Sequence, residues 1–300
     1  MNRKQFLVTM ITIIVASVAL IVTNAIFAYI QWIWVFVLSM LGYMYLRYKL
    51  STPLQTFSNK FNMLVDYDLD VETAEQMAKD GMNNSPTKTI QQLYAMYYGM
   101  AQYYNGKYED AIKTFHLLEL KRMNVVYHIL VFAFSAYAAF ELEDEDEFNL
   151  SLERIINLQA RITGRYKGFV ASYIEILESM KNIDVALDSY RDMVEKHFGN
   201  PDGYISTKLT YHYRMAIYYK KINDVLEMDK NLAFVIANGQ NHHTALRARE
   251  LFKNSVNVED YVLREEAPIE NEPRQDVFEA EIKEIEEKEP ETKDDQEKEE

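Results

Sequence analysis

The side chains that could do chemistry in this chain are few and scattered. Its six histidines, His116, His128, His197, His212, His242 and His243, include no pair four residues apart, the spacing that sets two metal ligands on one helix face. His242 and His243 point to different sides of a helix. They sit at a helix start that Gln240 or Asn241 could cap, so capping or solvation explains them better than metal binding. The run Glu141, Glu143, Asp144, Glu145 and Asp146 could attract a cation. It lacks the glycine and spacing of a calcium loop, so a solvated turn between helices explains it better. Glu175 and Glu178 could do acid–base work from one helix. No GxSxG, HExxH, GxxxxGKS/T or GxGxxG pattern occurs, and phosphate chemistry needs such closely approaching backbone amides. The absence of cysteine excludes disulfides and thiolate-held metals. No cofactor or metal is implied, and the expectation is a protein that is not an enzyme. An enzyme of unrecognised type, using Glu175, Glu178 or tyrosines, is the alternative.

The elements that carry these residues begin at the N-terminus. From Gln5 to Leu46 there is no charged residue. As one helix this stretch would reach about 63 Å, roughly twice a bilayer's hydrocarbon core. Two spans in a hairpin, at about 6–23 and 26–46, are expected, with Asn24 as the pivot. Tyr29, Trp32 and Trp34 would mark the outer interface, in which case the turn widens to about Asn24–Gln31. Arg3 and Lys4 precede the first span, and Arg47 and Lys49 follow the second. By the positive-inside rule both termini and the soluble domain are then cytoplasmic, in an integral protein of the cell membrane. A cleaved signal peptide is the competing reading. The apolar run is long for one, and no A-x-A site closes it. Thr52-Pro53 should open the first soluble helix, with Leu54, Phe57, Phe61 and Leu64 as its buried stripe.

Net charge is −14, but unevenly spread. Residues 259–300 hold nineteen acidic and six basic side chains, and residues 51–258 are close to neutral. The tail reads as a disordered acidic segment that disfavours nucleic acid. Within it, Val277, Phe278, Ile282 and Ile285 would share one helix face, either as a docking stripe or as a chance cluster.

Between 54 and 254 apolar residues recur every three or four positions, broken by polar turns at 66–70, 83–86, 105–107, 141–145, 182–184, 199–202 and 238–241. This is an all-α region. In Gly99-x6-Gly106-x-Tyr108-x-x-Ala111-Ile112-x-x-Phe115, one helix ends near Tyr104 and the next starts near Tyr108. Small Gly99 and Ala111 permit close approach, and Tyr108 and Phe115 fill the space beside them. The segment resembles the tetratricopeptide repeat, with Ala95 and Met123 standing where that family has tryptophan and proline. Phased on Ala111, second helices fall near Ala74, Leu150, Ala186 and Val225, at spacings of 37, 39, 36 and 39 residues, against about 34 in the family. About five hairpins from Leu54 to Asn238 follow, closed by a helix at His242–Asn254. An unrelated array of α-hairpins is the competing reading, and either is a helical solenoid.

The resemblance implies a concave groove lined by first helices. It places Leu93, Met96, Met100, Tyr103 and Tyr104 there, with Phe134, Glu175, Glu178, Thr210 and Arg214 at equivalent positions. Met96, Met100, Tyr103, Tyr104, Glu175 and Arg214 are the candidate partner-binding residues, since tyrosine and methionine adapt to apolar peptide side chains. The same aromatics, with Tyr94, Tyr97 and Tyr98, could equally pack hairpin on hairpin. The groove lacks the polybasic character that clamps a terminal carboxylate. The expected function is a membrane-anchored scaffold whose partners are the bilayer and other proteins, membrane proteins included. Self-assembly into a structural membrane protein is a further alternative.

Overall fold

The computed structural model describes residues 3–27, 32–164 and 166–263. The tail stripe at Val277, Phe278, Ile282 and Ile285 and the residues 28–31 lie outside the described residues. Among the described residues there are twelve α-helices and two short 3-10 turns. The helices are α1 Arg3–Phe27, α2 Trp32–Asp66, α3 Val71–Asn83, α4 Lys88–Tyr104, α5 Tyr108–His116 and α6 Val125–Leu142. They continue as α7 Glu145–Gln159, α8 Tyr166–Lys181, α9 Leu187–Phe198, α10 Ile205–Lys221, α11 Val225–Asn238 and α12 His243–Leu251. Each helix packs on the next, and α2, α4, α6 and α8 are also successive neighbours. The chain is all-α, with packing consistent with a helical repeat.

Two expectations about the N-terminus need correction. Asn24 does not pivot a turn: α1 runs through it to Phe27, and Asn24 is buried. A lone asparagine costs a helix only a fraction of a kcal/mol, less than the loss of backbone hydrogen bonds in apolar surroundings. Nor does a helix start at Thr52-Pro53, because α2 is continuous across it with Pro53 inside. Thr52 Oγ1 donates to the Tyr48 carbonyl at 2.9 Å one turn back. Phe57, Phe61 and Leu64 are buried as expected, and they hold the C-terminal half of α2 onto the body. Phe57 meets the Tyr94 and Tyr97 rings edge-on at 4.6 and 5.2 Å, and Tyr97 shares a 2.7 Å hydrogen bond with Ser58. One described helix segment, Lys4–Ile26 with mean hydropathy 2.7, is long and apolar enough to cross a membrane. By length and composition it would serve a signal sequence equally well.

Capping sets the breaks. Asp70, Thr87, Asn124, Asp144 and Asp224 each accept a backbone N–H two or three residues on. Gly106, at φ +72°, makes the left-handed turn between α4 and α5. Gly99 lies against the Phe115 ring so closely that a Cβ there would sit 2.5 Å from it. The fourth position of the second helices is taken by Ala74, Ala111, Phe148, Tyr190 and Met228, all buried. Leu150 and Val225 are exposed and Ala186 is an N-cap, so the repeat register shifts after α5.

The C-terminal helices return to the start of the array. Leu69, in the turn after α2, is buried with Leu209, Tyr213, Met228 and Leu232 of α10 and α11. Its φ of +52° is an uncommon conformation for leucine, held by that packing. Ser206 donates to Asp66 at 2.6 Å, and the Tyr67 and Tyr204 rings lie 4.8 Å apart.

Candidate functional site

Residues that the repeat resemblance assigns to the groove converge on a cluster between α4, α6, α10 and α12. Tyr103 packs against Phe134 at 5.3 Å and His243 at 4.4 Å, and Tyr104 against Phe134 and His242 at 5.5 Å each. The open groove implied by the repeat resemblance is therefore filled on this side by the protein's own α12. His242 itself caps α12, its Nδ1 accepting the Thr244 N–H at 3.4 Å, in place of the Gln240 or Asn241 expected to cap, and it is buried rather than solvated. Nδ1 also lies 2.8 Å from the Thr244 hydroxyl, and Nε2 is buried without a partner.

Glu141 ties the closure together. Its Oε2 accepts from the Tyr213 hydroxyl at 2.9 Å and from Arg247 Nε at 3.3 Å, while Arg247 Nη2 donates to the Glu141 carbonyl at 3.0 Å. Only the neighbours of Glu141 match the solvated turn expected for the acidic run. Asp144 caps α7, and Glu143, Glu145 and Asp146 are exposed. Burial pushes the Glu141 carboxyl up, against the opposing pull of Tyr213, Arg214 and Arg247.

Arg214, on α10, is 6% exposed. Its guanidinium lies 5.2 Å from the Phe198 ring and 5.5 Å from that of Tyr137. Among the described residues it has no carboxylate in ion-pair range, and its Nε has no hydrogen-bond partner. The Tyr190 hydroxyl is beside it, short of hydrogen-bond geometry. Tyr104, Tyr137 and Tyr173 keep partial exposure on the same side.

Burial raises every one of these phenols, Tyr103 and Tyr104 well above the ordinary tyrosine value and Tyr137 to about 12. Burial likewise pushes His242 down to about 3 and His243 well below its usual value. At neutral pH the cluster holds neutral imidazoles, protonated phenols and cationic arginines. It is equipped to donate hydrogen bonds and to stack.

The structure distributes the six sequence candidates over three settings. Met96 is fully buried in the body, behind the cluster. Tyr103 and Arg214 form the wall, and Met100 and Tyr104 reach its accessible rim. Glu175 stands apart, two residues from Tyr173 and so on a different face of α8. It accepts from Lys196 at 2.7 Å and pairs with His197 at 3.0 Å. These bonds hold its carboxyl below the usual range. Glu175 and Glu178 line a separate groove of about 370 Å³ with Gln159, Ile174 and Ser189. No three metal-capable side chains gather among the described residues.

Sequence reasoning missed Glu141, Tyr190, Tyr213 and Arg247 as members of the cluster. The usable signal was Glu141 itself, the one acidic residue in the apolar helix α6. A lone charge in such a helix needs a distant partner. No family model matches the chain, and neither a curated protein nor a solved structure matches it.

Proposed function

We propose that this protein is a membrane-anchored, non-catalytic interaction scaffold. A hairpin of α1 and the apolar half of α2 would hold it in the cell membrane with both termini and the helical body in the cytoplasm. The body would act as a tetratricopeptide-like solenoid that receives a segment of another protein. The observation that carries this reading is the surface of the two N-terminal helices. Leu7, Val15, Ile33 and Phe36 are all exposed there, whereas the helices of the body bury their apolar faces. An apolar surface that continuous is stable in lipid and a liability in water. Thr9 and Thr12 donate their hydroxyls back to the carbonyls of Gln5 and Val8, which leaves no polar hydrogen of theirs facing lipid. Of the candidate contact residues, Met100 and Tyr104 have the exposure to meet a partner, and Tyr103 and Arg214 shape the wall behind them.

Because the chain has no cysteine, single introduced thiols report unambiguously. Asp188→Cys, on the exposed side of α9, should react with a membrane-impermeant maleimide only after lysis, and Ile26→Cys should react in intact cells. Labelling of Asp188→Cys from outside would refute the orientation. A photocrosslinking residue at Tyr104 should yield a discrete adduct that the same residue at Asp188 does not. Identical patterns at the two positions would remove the groove assignment.

A further inference from the structure

A cation buried without a counter-charge is among the least stable things a fold can contain. Isolated charges lose several kcal/mol on leaving water unless they are paired or well hydrogen-bonded. Arg214 meets neither condition among the described residues. Glu141, the nearest acid, is committed to Tyr213 and Arg247. Arg247 also pairs with Glu250 at 2.8 Å, and no carboxylate among the described residues stands within ion-pair range of Arg214. Among the described residues outside α1 and α2, the buried polar side-chain atoms left without a partner are Arg214 Nε, the Tyr190 hydroxyl and His242 Nε2. Arg214 Nε and the Tyr190 hydroxyl are both hydrogen-bond donors, and all three belong to this one cluster.

We infer that the Arg214 cluster is a binding site for a monocarboxylate carried on an apolar body. A guanidinium grips a carboxylate in a planar, two-pronged geometry, and the Tyr190 hydroxyl can supply a further donor. The faces of Tyr137, Tyr104 and Tyr173 supply apolar and aromatic contact for the rest of the ligand. The donor set selects the class: a single guanidinium without an ion-pair partner matches a single carboxylate. A phosphate dianion would bring a second charge toward Glu141, and no lysine lies among the cluster residues to meet it. The inference does not rest on the membrane anchor or on the scaffold reading. The ligand could be a free small acid or an acidic side chain presented by a peptide, and the experiment separates these sources.

The test uses the full chain in detergent, followed by thermal unfolding and titration calorimetry. The probes are benzoate and 3-phenylpropionate, their neutral amides, inorganic phosphate at matched ionic strength, and the peptide Ac-Phe-Glu-Phe-amide beside its Gln counterpart. The acids should raise the melting temperature with concentration, and the amides should not. A response to the small acids assigns a free acid, and a response to the Glu peptide alone assigns a presented side chain; both support the site. Arg214→Met should abolish the response while leaving the unliganded protein at least as stable, because it removes an unpaired charge and keeps the apolar stem. Tyr190→Phe removes a hydroxyl that has no partner, so it should fold normally and bind roughly tenfold more weakly. Equal binding of acid and amide would overturn the inference. So would preference for phosphate, an undiminished response in Tyr190→Phe, or no response to any carboxylate.

Discussion

Acid should open this protein through His242 before it titrates most of its carboxylates. The His242 imidazole is fully buried, and burial pushes it down to about 3. In the unfolded chain it titrates near 6.5. The folded value is depressed, so below about pH 6.5 the unfolded state binds the extra proton and the native state does not. Stability is thus full above that value and falls as pH falls, by about 1.4 kcal/mol per pH unit for one such group. Between pH 7 and pH 5 the loss from His242 comes to about 2 kcal/mol. This figure is insensitive to where near 3 the native value lies, because the native imidazole is neutral throughout that window. His243 and His212 are pushed down as well, and their contributions have the same sign. Glu141, pushed up by burial, opposes them, because its protonation favours the native state. It is one group against two, His242 and His243, each with the same maximum slope, so the histidines set the sign between pH 6.5 and 5. The assay is urea unfolding in detergent at pH 7, 6 and 5, comparing the parent with His242→Asn. Asparagine keeps an N-cap acceptor for α12 and cannot titrate. The variant should have a slope shallower by about 1.4 kcal/mol per pH unit below pH 6.5. Identical slopes in the two proteins, or a parent as stable at pH 5 as at pH 7, would refute a neutral buried His242.

Three further outcomes follow from packing. Gly99→Ala sets a Cβ 2.5 Å from the Phe115 ring; overpacking of about 1–3 kcal/mol outweighs a helix-propensity gain of up to about 1 kcal/mol. Adding Phe115→Leu should recover most of that loss in urea unfolding, and a neutral single variant would contradict the close approach. Asp229→Ala removes the acceptor of the Lys253 and Ser255 backbone N–H groups, at 2.9 and 2.7 Å. It should cost about 2–4 kcal/mol and raise hydrogen exchange at 252–258, and unchanged exchange there would count against it. Tyr103→Ala should lower stability by about 3–5 kcal/mol, as for other large buried aromatics. A loss below about 1 kcal/mol would place Tyr103 on an accessible surface instead.

Local chemistry made the helices legible. Asp70 and Asp144 are each a short acceptor at a helix start, and Gly106 supplies the turn between α4 and α5, so the breaks read there from polar residues coincide with those observed, whereas the break that Asp224 closes was not among them. The 3-10 turn at Leu120–Arg122 was not legible, because neither glycine nor proline marks it. Asn24 and Pro53 misled for a related reason. Both are weak or local breakers, and neighbours on either side kept the helix running through them. The candidate site was legible in its first-helix members Tyr103, Tyr104 and Arg214. Its other half comes from α12 and from second-helix Tyr190, and these meet the first half across long separations in sequence. Periodicity has no access to such pairings.

The return of α10 and α12 changes what the repeat architecture can do. An open stack of hairpins presents its concave tyrosines to solvent and to any extended peptide that reaches them. Here His243 stacks on Tyr103, Leu69 is drawn into the α10–α11 core, and Glu141 joins α6 to both α10 and α12. Closure buries aromatic surface worth roughly 25 cal/mol per Å², at the cost of desolvating one carboxylate and two histidines. These terms differ in one respect: the apolar gain is independent of pH, whereas the polar cost rises as the histidines approach their proton affinity. A partner segment of the kind proposed would have to compete with α12, a nine-residue helix. Its Arg247 keeps about a third of its side chain exposed, so solvent screening weakens its hold on Glu141. Entry of a long segment and acidification would therefore work against the same short element, whereas a small ligand at Arg214 would leave α12 in place.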